Sequence, residues 1–407
     1  MARMWSPRKT AQSLRFHARR LRTRALAAPR AVPWLRQALR LPRNEVFDPL
    51  AGESVAGVHV IPLDPAASFH RPLPRFVEPH PMAERFFAQR THEVTAPTYV
   101  VDLADAIAWG HPTGGVFTPD GRFVPAFTHD PSGAALHTAW TRLRLPRPKP
   151  LPGRTLYLVT PEATDNFHHW MIDLLPRLGL VERAGFRVPD FDHVIVNHAH
   201  RRYQTETLAR LGIPLDRVIT ADAALFVRAE HLVVPALKQH HQSLPAADVT
   251  FLRRALLGHS TSSSPASRRL FLSRADASYR RLRHEADRHD WLRAHDFEIV
   301  RPGDLTVAEQ ARLFAEADVI AGPAGAAFAN LVFARPGTQV IEIVPPQWIA
   351  AFHWMISARC GLHHTVVLGE GPVMREPPGA GARQHDIVLS AQKFTRALSL
   401  AGAPAAA

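Results

Sequence analysis

The chain has 407 residues, 46% hydrophobic and 21% charged, which is typical of a soluble globular protein with room for two domains. It has no uninterrupted apolar stretch of roughly 18 residues, so the sequence predicts no membrane-spanning helix. A lone cysteine, Cys360, excludes an internal disulfide framework and fits a reducing compartment. Of the net charge of +13, nearly all lies in residues 1–44, which contain 12 Lys or Arg and no acidic residue. The remaining 37 basic and 36 acidic residues make the body almost neutral, which argues against a nucleic-acid-binding fold.

Residues 1–44 are interpreted as a basic N-terminal arm. Leu14, Ala18, Leu21 and Ala25 form an apolar stripe at helical spacing among arginines, and such a helix can lie on anionic lipid. A solvated basic tail and an organelle transit peptide are the alternatives. No secretory signal is expected, because no apolar segment follows the charges. We expect a cytoplasmic protein, with peripheral contact to the inner face of the membrane through this arm.

The first series of elements precedes residue 260. Residues 45–150 are proline-rich and are interpreted as an irregular lead-in with short strands at 58–62, 98–101 and 115–118. Regular alternation then predicts strands at 155–160, 193–197, 217–221 and 231–235, with helices at 166–183, 200–211 and 248–257. A serine-rich piece at 260–267 is interpreted as a linker or exposed loop.

A second series follows the serine-rich piece. Strands are predicted at 269–273, 297–300, 319–321, 339–344 and 365–368, and helices at 284–295, 306–317, 326–333, 348–360 and 386–400. Thr306 and Glu309 have the spacing of a capping box. Two alternating series predict two doubly wound, Rossmann-like α/β domains with parallel sheets, an N-terminal one at 45–259 and a C-terminal one at 260–407, facing a cleft.

Residues 318–344 predict one strand–turn–helix–strand unit. The turn carries Gly322 and Gly325, and the helix after it would present free backbone N–H groups and a positive dipole end, a natural seat for phosphate. Glu342 places a carboxylate inside the second strand, where it needs a hydrogen-bond partner. The alternative is an ordinary βαβ unit whose glycines only permit close packing.

The helix at 166–183 carries a candidate acid–base group. His169 and Asp173 are four residues apart and share one face, so the carboxylate can orient the imidazole and raise its basicity. Arg177 follows one turn later, and Pro176 is expected to kink the helix. The alternative is a polar helix face with a satisfied histidine.

A basic loop follows the predicted strand at 269–273. Ser273 and Arg274 fall at the carboxyl end of this strand, Arg280 follows, and Glu285 begins the next helix. Arginine at a strand end can bind a diphosphate bidentately, and Glu285 can fix an arginine or bind a sugar hydroxyl. A solvated basic loop is the alternative.

Metal and dinucleotide sites are not predicted. Asp190 and Asp192 have metal-site spacing but precede their strand, at the wrong edge of the sheet. The histidine pairs at 240–241 and 363–364 lack a third ligand at helical spacing. The glycine turn does not complete G-x-G-x-x-G, which leaves an α/β oxidoreductase as a distant alternative.

In this order and spacing, the segments resemble glycosyltransferase family 61, which includes capsular-polysaccharide-type bacterial enzymes. The resemblance covers roughly residues 95–370. It rests on Asn166, Phe167, His169, Trp170, Asp173, Pro176, Arg177 and Leu178; on Ser273, Arg274, Ala277, Arg280 and Glu285; on Glu309 and Gln310; and on Gly322, Pro323, Gly325, Ala326, Asn330, Leu331, Phe333, Pro336, Gly337, Thr338 and Glu342. Two positions depart from the family pattern, since Ala324 and His284 stand where the family has His and Asn.

The resemblance implies a GT-B-like pair of domains. It also implies transfer of a sugar from a nucleotide sugar to a hydroxyl of a glycan or polysaccharide acceptor, which can be lipid-linked. The transfer is expected to invert the anomeric carbon and to need no obligatory metal or cofactor. The base expected for the acceptor is His169 oriented by Asp173, with Asp173 itself as the alternative. The candidate substrate-binding residues are Arg177, Ser273, Arg274, Arg280, Glu285, the N–H groups of Gly325 and Ala326, Asn330 and Glu342. Ala324 stands where the family has a histidine. The alternative hypothesis is therefore a catalytically impaired, nucleotide- or glycan-binding relative of these enzymes.

Overall fold

The described part of the chain is organised around two β-sheets flanked by helices. The computed structural model describes residues 18, 20–110, 114–128, 137–238, 243–258, 268–372 and 381–399. The strands are β1 (Val58–Asp64), β2 (Ala67–His70), β3 (Arg75–Phe76), β4 (His92–Thr95), β5 (Thr98–Trp109), β6 (Gly115–Phe117), β7 (Lys149–Tyr157), β8 (His193–Val196), β9 (Val218–Thr220), β10 (Phe226–Pro235), β11 (Arg268–Leu272), β12 (Phe297–Val300), β13 (Ala317–Pro323), β14 (Gln339–Val344) and β15 (His363–Leu368).

Most of the predicted helices are present, although their ends differ by a few residues. The α-helices are α1 (Ala27–Ala31), α2 (Pro33–Leu39), α3 (Pro81–Ala88), α4 (Thr138–Thr141), α5 (Phe167–His169), α6 (Arg177–Arg183), α7 (Arg202–Arg210), α8 (Ala246–Leu256), α9 (His289–Ala294), α10 (Val307–Ala315), α11 (Phe352–Cys360) and α12 (Ala391–Ser399). The predicted linker at 260–267 lies outside the described residues.

The first sheet is mixed. Its order is β1-β5-β10-β7-β8-β9, with β6 on β5. Strands β10, β7, β8 and β9 are parallel, whereas β1 and β10 both pair antiparallel with β5. The expectation of an all-parallel first sheet is therefore wrong. The reason is β5, which the sequence predicts only over its first four residues and which runs alongside β10 from Val100 to Trp109.

The second sheet is parallel throughout, as predicted. Its order is β12-β11-β13-β14-β15-β3. The edge strand β3 comes from residues 75–76, far upstream in the chain. Helix α3 follows it onto the same sheet, where Phe87 packs edge-on against Trp354 of α11 at 5.1 Å between ring centroids. The proline-rich lead-in thus contributes to both sheets.

The helix predicted at 166–183 is interrupted by a wider π-helical turn. After α5, residues Trp170–Leu174 form this turn, in which the N–H of Leu175 bonds to the carbonyl of Trp170 at 3.0 Å. Pro176 follows, lacks an N–H, and precedes α6. The predicted break is present, and it takes the form of one inserted residue, a feature frequent at functional sites.

The segment 20–39 of the arm is largely helical, and the arm packs partly on the fold. Leu26 and Leu41 are buried, the Arg30 guanidinium lies 5.0 Å from the centroid of the Trp140 ring, and Arg40 donates to the carbonyl of Leu145 at 3.0 Å. Leu14 lies outside the described residues. None of the helices in the described ranges has both the length and the apolar character needed to cross a bilayer.

Candidate active site

A cavity of about 650 Å³ opens where loops following strands of the two sheets meet. On the side of the first sheet lie the loop after β7 and the start of α7. On the other side lie the loop after β11, the segment after β13 and residues 383–384. The lining residues are Glu162, Asp165, Asn166, Phe167, Tyr203, Arg274, Asp276, Ala277, Ser278, Tyr279, Arg280, Ala326, Arg383 and Gln384. The cavity thus occupies the carboxyl ends of parallel strands, where α/β proteins bind ligands.

Two arginines form one wall of this cavity. Arg274 donates to the carbonyls of Tyr279 and Arg280 at 3.0 and 3.3 Å. The Arg280 guanidinium lies 4.7 Å from the centroid of the Trp348 ring and 5.1 Å from that of Tyr279. Arg280 has a φ of 56°, a left-handed conformation that costs a non-glycine residue energy and so marks a constrained loop.

These arginines are placed to bind an anion. Burial, together with repulsion from Arg280, lowers the pKa of Arg274 to about 10, and burial also lowers the pKa of Arg280. Neither guanidinium forms an ion pair with a carboxylate of the described residues. Asp276 and Asp386 attract Arg274, and Glu342 attracts Arg280, but burial outweighs these attractions. Two half-buried guanidinium groups beside a cavity suit an anionic ligand.

The glycine turn lies directly beside Arg274. Gly322 has a φ of 155°, and a Cβ on it would lie 2.6 Å from the carbonyl oxygen of Leu272, so β13 and β11 can approach only with glycine here. Gly325 is extended and precedes a 3₁₀ helix, Ala326–Phe333, as the sequence predicts. A Cβ on Gly325 would lie 2.1 Å from Nη1 of Arg274. The turn therefore makes room for the guanidinium of Arg274.

His169 and Asp173 form the pair that the sequence predicts. Nδ1 of His169 lies 2.7 Å from Oδ2 of Asp173, and both side chains are buried. Nε2 lies 2.8 Å from Oε2 of Glu162, whose side chain is 60% exposed and lines the cavity. Burial opposes the positive charge, but the hydrogen bonds to Asp173 and Glu162 outweigh it and raise the pKa of His169 to about 9.

Arg177 lies away from the cavity. It is 2% exposed, and its guanidinium donates to the carbonyl of Pro235 at 2.6 Å and to Oγ1 of Thr160 at 3.1 Å. The π-helical turn explains this position, because one inserted residue turns later side chains by about 100° from the face of His169 and Asp173. The contacts of Arg177 anchor α6 to the first sheet.

Three other candidates hold the loops around the cavity. The Ser273 hydroxyl donates to Glu285, and both side chains are buried. This bond joins the two ends of the loop 273–285, which carries Arg274 and Arg280. Asn330 is fully buried and donates to Oε1 of Gln310 at 2.8 Å, which joins the 3₁₀ helix to α10. The predicted capping box of α10 is confirmed, with Glu309 N donating to Thr306 Oγ1 at 3.2 Å.

Glu342 has the partners that its position in β14 requires. Its two carboxylate oxygens lie 2.5 Å from Nδ1 of His353 and 3.1 Å from Nε2 of His364. Ser357 lies 2.8 Å from the other ring nitrogen of His364. Burial opposes ionisation, yet the two histidines outweigh it and lower the pKa of Glu342 to about 2. Glu342 is 2% exposed and does not line the cavity.

The sequence did not identify several residues of this site. Glu162 follows the predicted strand at its carboxyl end, which is the signal that could have found it. Tyr279 and Trp348 flank Arg280, and His353 holds Glu342; their partners are distant in sequence, so no local pattern marks them.

The fold is α/β, and one cavity brings Arg274 and Arg280 together with Glu162, the partner of His169. Residues 167–341 match the model of the family described as Glycosyltransferase 61. The matched range includes His169, the loop with Arg274 and Arg280, and the glycine turn. This part of the chain belongs to glycosyltransferase family 61, and the protein is a glycosyltransferase. No curated protein matches the chain.

Proposed function

We propose that the protein transfers a sugar from a nucleotide diphosphate sugar to a hydroxyl of a glycan or polysaccharide acceptor, with inversion at the anomeric carbon. One observation carries this proposal. Two arginines that form no ion pair among the described residues lie across one cavity from a histidine–carboxylate group. A departing diphosphate needs positive charge, and an attacking hydroxyl needs a proton acceptor. The cavity offers both, on opposite walls.

The donor side is assigned to the second sheet. Arg274, Arg280 and the N–H groups of Gly325 and Ala326 would hold the diphosphate, as charge-assisted donors and as a helix N-terminus. The acceptor side is assigned to the first sheet, around His169. The two units would correspond to a GT-B-like arrangement, with residues 45–259 on the acceptor side and 260–407 on the donor side. Because arginines supply the charge, we propose no obligatory metal.

A second candidate is a nucleotide- or glycan-binding relative with impaired catalysis. It is favoured by Ala324, which is 1% exposed and belongs to an apolar cluster with Phe87 and Trp354. The family histidine at this position is therefore replaced by a side chain that cannot contact a phosphate. If the family histidine contributes to the donor site, this chain binds its donor more weakly.

A donor screen separates the two candidates. Nucleoside diphosphates and nucleotide sugars are first tested by thermal shift, because a bound donor raises the apparent stability. The best donor is then incubated with a panel of glycan acceptors, and product is followed by mass spectrometry. Transfer supports the enzyme, and binding without transfer across the panel supports the impaired relative.

Within this screen, His169→Ala should keep donor binding and lose turnover by about 100-fold or more, because the proton-accepting group loses a member or its alignment. Glu182→Gln, a change on the exposed surface, is the control and should keep both. Unchanged turnover of His169→Ala would remove His169 from the mechanism.

We also propose that the arm brings the enzyme to an anionic membrane on the cytoplasmic side, where a lipid-linked acceptor would lie. Leu21, Trp34 and Leu143 are 67%, 69% and 72% exposed and lie among arginines. Burial and the nearby Arg144 and Arg147 lower the pKa of Arg40, so the arm and the 142–147 segment share one basic surface. Apolar side chains among such charges fit an anionic lipid surface.

A further inference from the structure

Both nitrogens of the His169 ring face carboxylate oxygens. Nδ1 lies 2.7 Å from Asp173, and Nε2 lies 2.8 Å from Glu162. A carboxylate accepts hydrogen bonds, so each ring nitrogen donates and the ring is an imidazolium. An imidazolium has no lone pair left for the proton of an attacking hydroxyl. The group that accepts this proton must therefore be sought among the neighbours of His169.

Of the two carboxylates, Glu162 is the one that reaches the substrate side. The side chain of Asp173 is 5% exposed and lies behind the ring. The side chain of Glu162 is 60% exposed and lines the cavity that also contains Arg274, Arg280 and Ala326. An acceptor hydroxyl that enters this cavity meets Glu162 before it meets His169.

The loop that carries Glu162 is held rigidly. The side chain of Asn197 bonds to both backbone groups of Thr160, at 2.9 and 2.7 Å, and Gln204 donates to the carbonyl of Thr164 at 2.8 Å. Ala163 is fully buried. Between these anchors, Glu162 has a φ of 63°, a left-handed conformation that costs a residue with a Cβ about 1 kcal/mol. Strain of this kind, imposed by surrounding contacts, is concentrated at functional sites.

We infer that Glu162 is the catalytic base of the glycosyl transfer, and that His169 and Asp173 are positioning residues that hold its carboxylate. The inference rests on the proposed function. The acceptor oxygen forms its bond to the anomeric carbon while its proton passes to Glu162. The bond from that carbon to the donor diphosphate breaks, and its electron pair leaves with the nucleoside diphosphate beside Arg274 and Arg280.

The charges around Glu162 suit this role. The His169 imidazolium lies 2.8 Å from the Glu162 carboxylate and holds it in place by a charge-assisted hydrogen bond. Burial, and then repulsion from His353 and His169, lower the pKa of His168, which therefore stays neutral beside this group. Asp165, Asp276 and Arg383 also line the cavity. Repulsion from Lys238 makes a further small contribution to the lowered pKa of His168.

The test is Glu162→Gln, which keeps the shape of the side chain and an oxygen that can accept from His169. With the donor and acceptor found in the screen, kcat should fall by about 100-fold or more while the KM for the donor changes less than about threefold. Glu182→Gln, an exposed Glu of α6, should show the wild-type rate. Formate added to Glu162→Ala should restore part of the turnover, because a small carboxylate can occupy the vacated position.

Three outcomes would each overturn a different assignment: the identity of the base, the location of Glu162 on the acceptor side, or the proposed function. If Glu162→Gln keeps its turnover and its activity begins at a lower pH than in the wild type, His169 is the base, because losing one carboxylate partner lowers the pKa of an imidazolium. If Glu162→Gln loses donor binding together with turnover, Glu162 is a donor-site residue. If the wild type binds donor but transfers nothing, the proposed function fails and this inference fails with it.

Discussion

A single methyl group at Gly325 should weaken nucleotide binding and leave folding largely intact. The φ of Gly325 is −166°, which alanine adopts without strain. The added Cβ, however, would lie 2.1 Å from Nη1 and 2.9 Å from Cζ of Arg274, closer than non-bonded atoms approach. Because the obstructing atoms are the far end of a flexible side chain, the guanidinium moves and the backbone stays.

The size of the effect follows from the bonds of Arg274. In place, its guanidinium donates to two carbonyls, those of Tyr279 and Arg280. Breaking them should lower the free energy of unfolding by about 1–2 kcal/mol. Loss of one charge-assisted hydrogen bond to a phosphate is worth about 1.5–3 kcal/mol. That corresponds to about 10- to 150-fold weaker binding of a nucleoside diphosphate.

Calorimetry with the nucleoside diphosphate from the donor screen measures this effect. Gly325→Ala is compared with Arg274→Ala and with the double variant. Since both changes remove the same contact, Gly325→Ala should add less than about 0.5 kcal/mol to Arg274→Ala. Gly303→Ala is the matched control, because its Cβ would meet no atom closer than 3.9 Å. Wild-type affinity in Gly325→Ala, or a full effect of that change without Arg274, would refute the assignment of Arg274 to the diphosphate.

Two further outcomes follow from the structure. The carboxylate of Glu342 has a pKa of about 2 against an ordinary 4.5, so it contributes roughly 3 kcal/mol of stability above about pH 4.5, which is lost as the pH falls toward about 2. Glu342→Gln should therefore unfold at a lower urea concentration than the wild type at pH 7, and the gap should shrink by more than half at about pH 3; a constant gap would contradict this. Trp34→Ala should reduce sedimentation with anionic liposomes at low salt, whereas Leu215→Ala, at a position 49% exposed, should not; equal sedimentation of all three proteins would exclude the arm surface as the anchor.

The second sheet could be predicted from sequence because its signals are local. β14 is found at its predicted limits, since a β-branched run there is bounded by Pro336-Gly337 and by proline. The capping box of α10 likewise needs only Thr306 and Glu309. In the site, His169 and Asp173 are one helical turn apart, so the spacing alone brings them together.

What the sequence did not predict depends on distant partners. Strand β5 contains Asp102, Asp105 and several alanines, which have low strand propensity, and its pairing comes from β10, more than a hundred residues later. Arg177 was placed on the face of His169 by a period of 3.6 residues, which the π-helical turn breaks. The role inferred for Glu162 depends on a loop anchored by Asn197, which no local pattern reveals.

The polarity of the cavity accounts for the placement of its charged groups. If Arg274 and Arg280 were paired with carboxylates, a diphosphate would have to displace those carboxylates. Each separated ion pair would cost several kcal/mol. The carboxylate of Glu162 is instead bonded to His169, on the wall of the first sheet. In the proposed transfer, the cations would face the leaving group and the carboxylate would face the attacking hydroxyl. The proposed transfer would move negative charge from the acceptor to the donor diphosphate, which is the direction that this arrangement would stabilise.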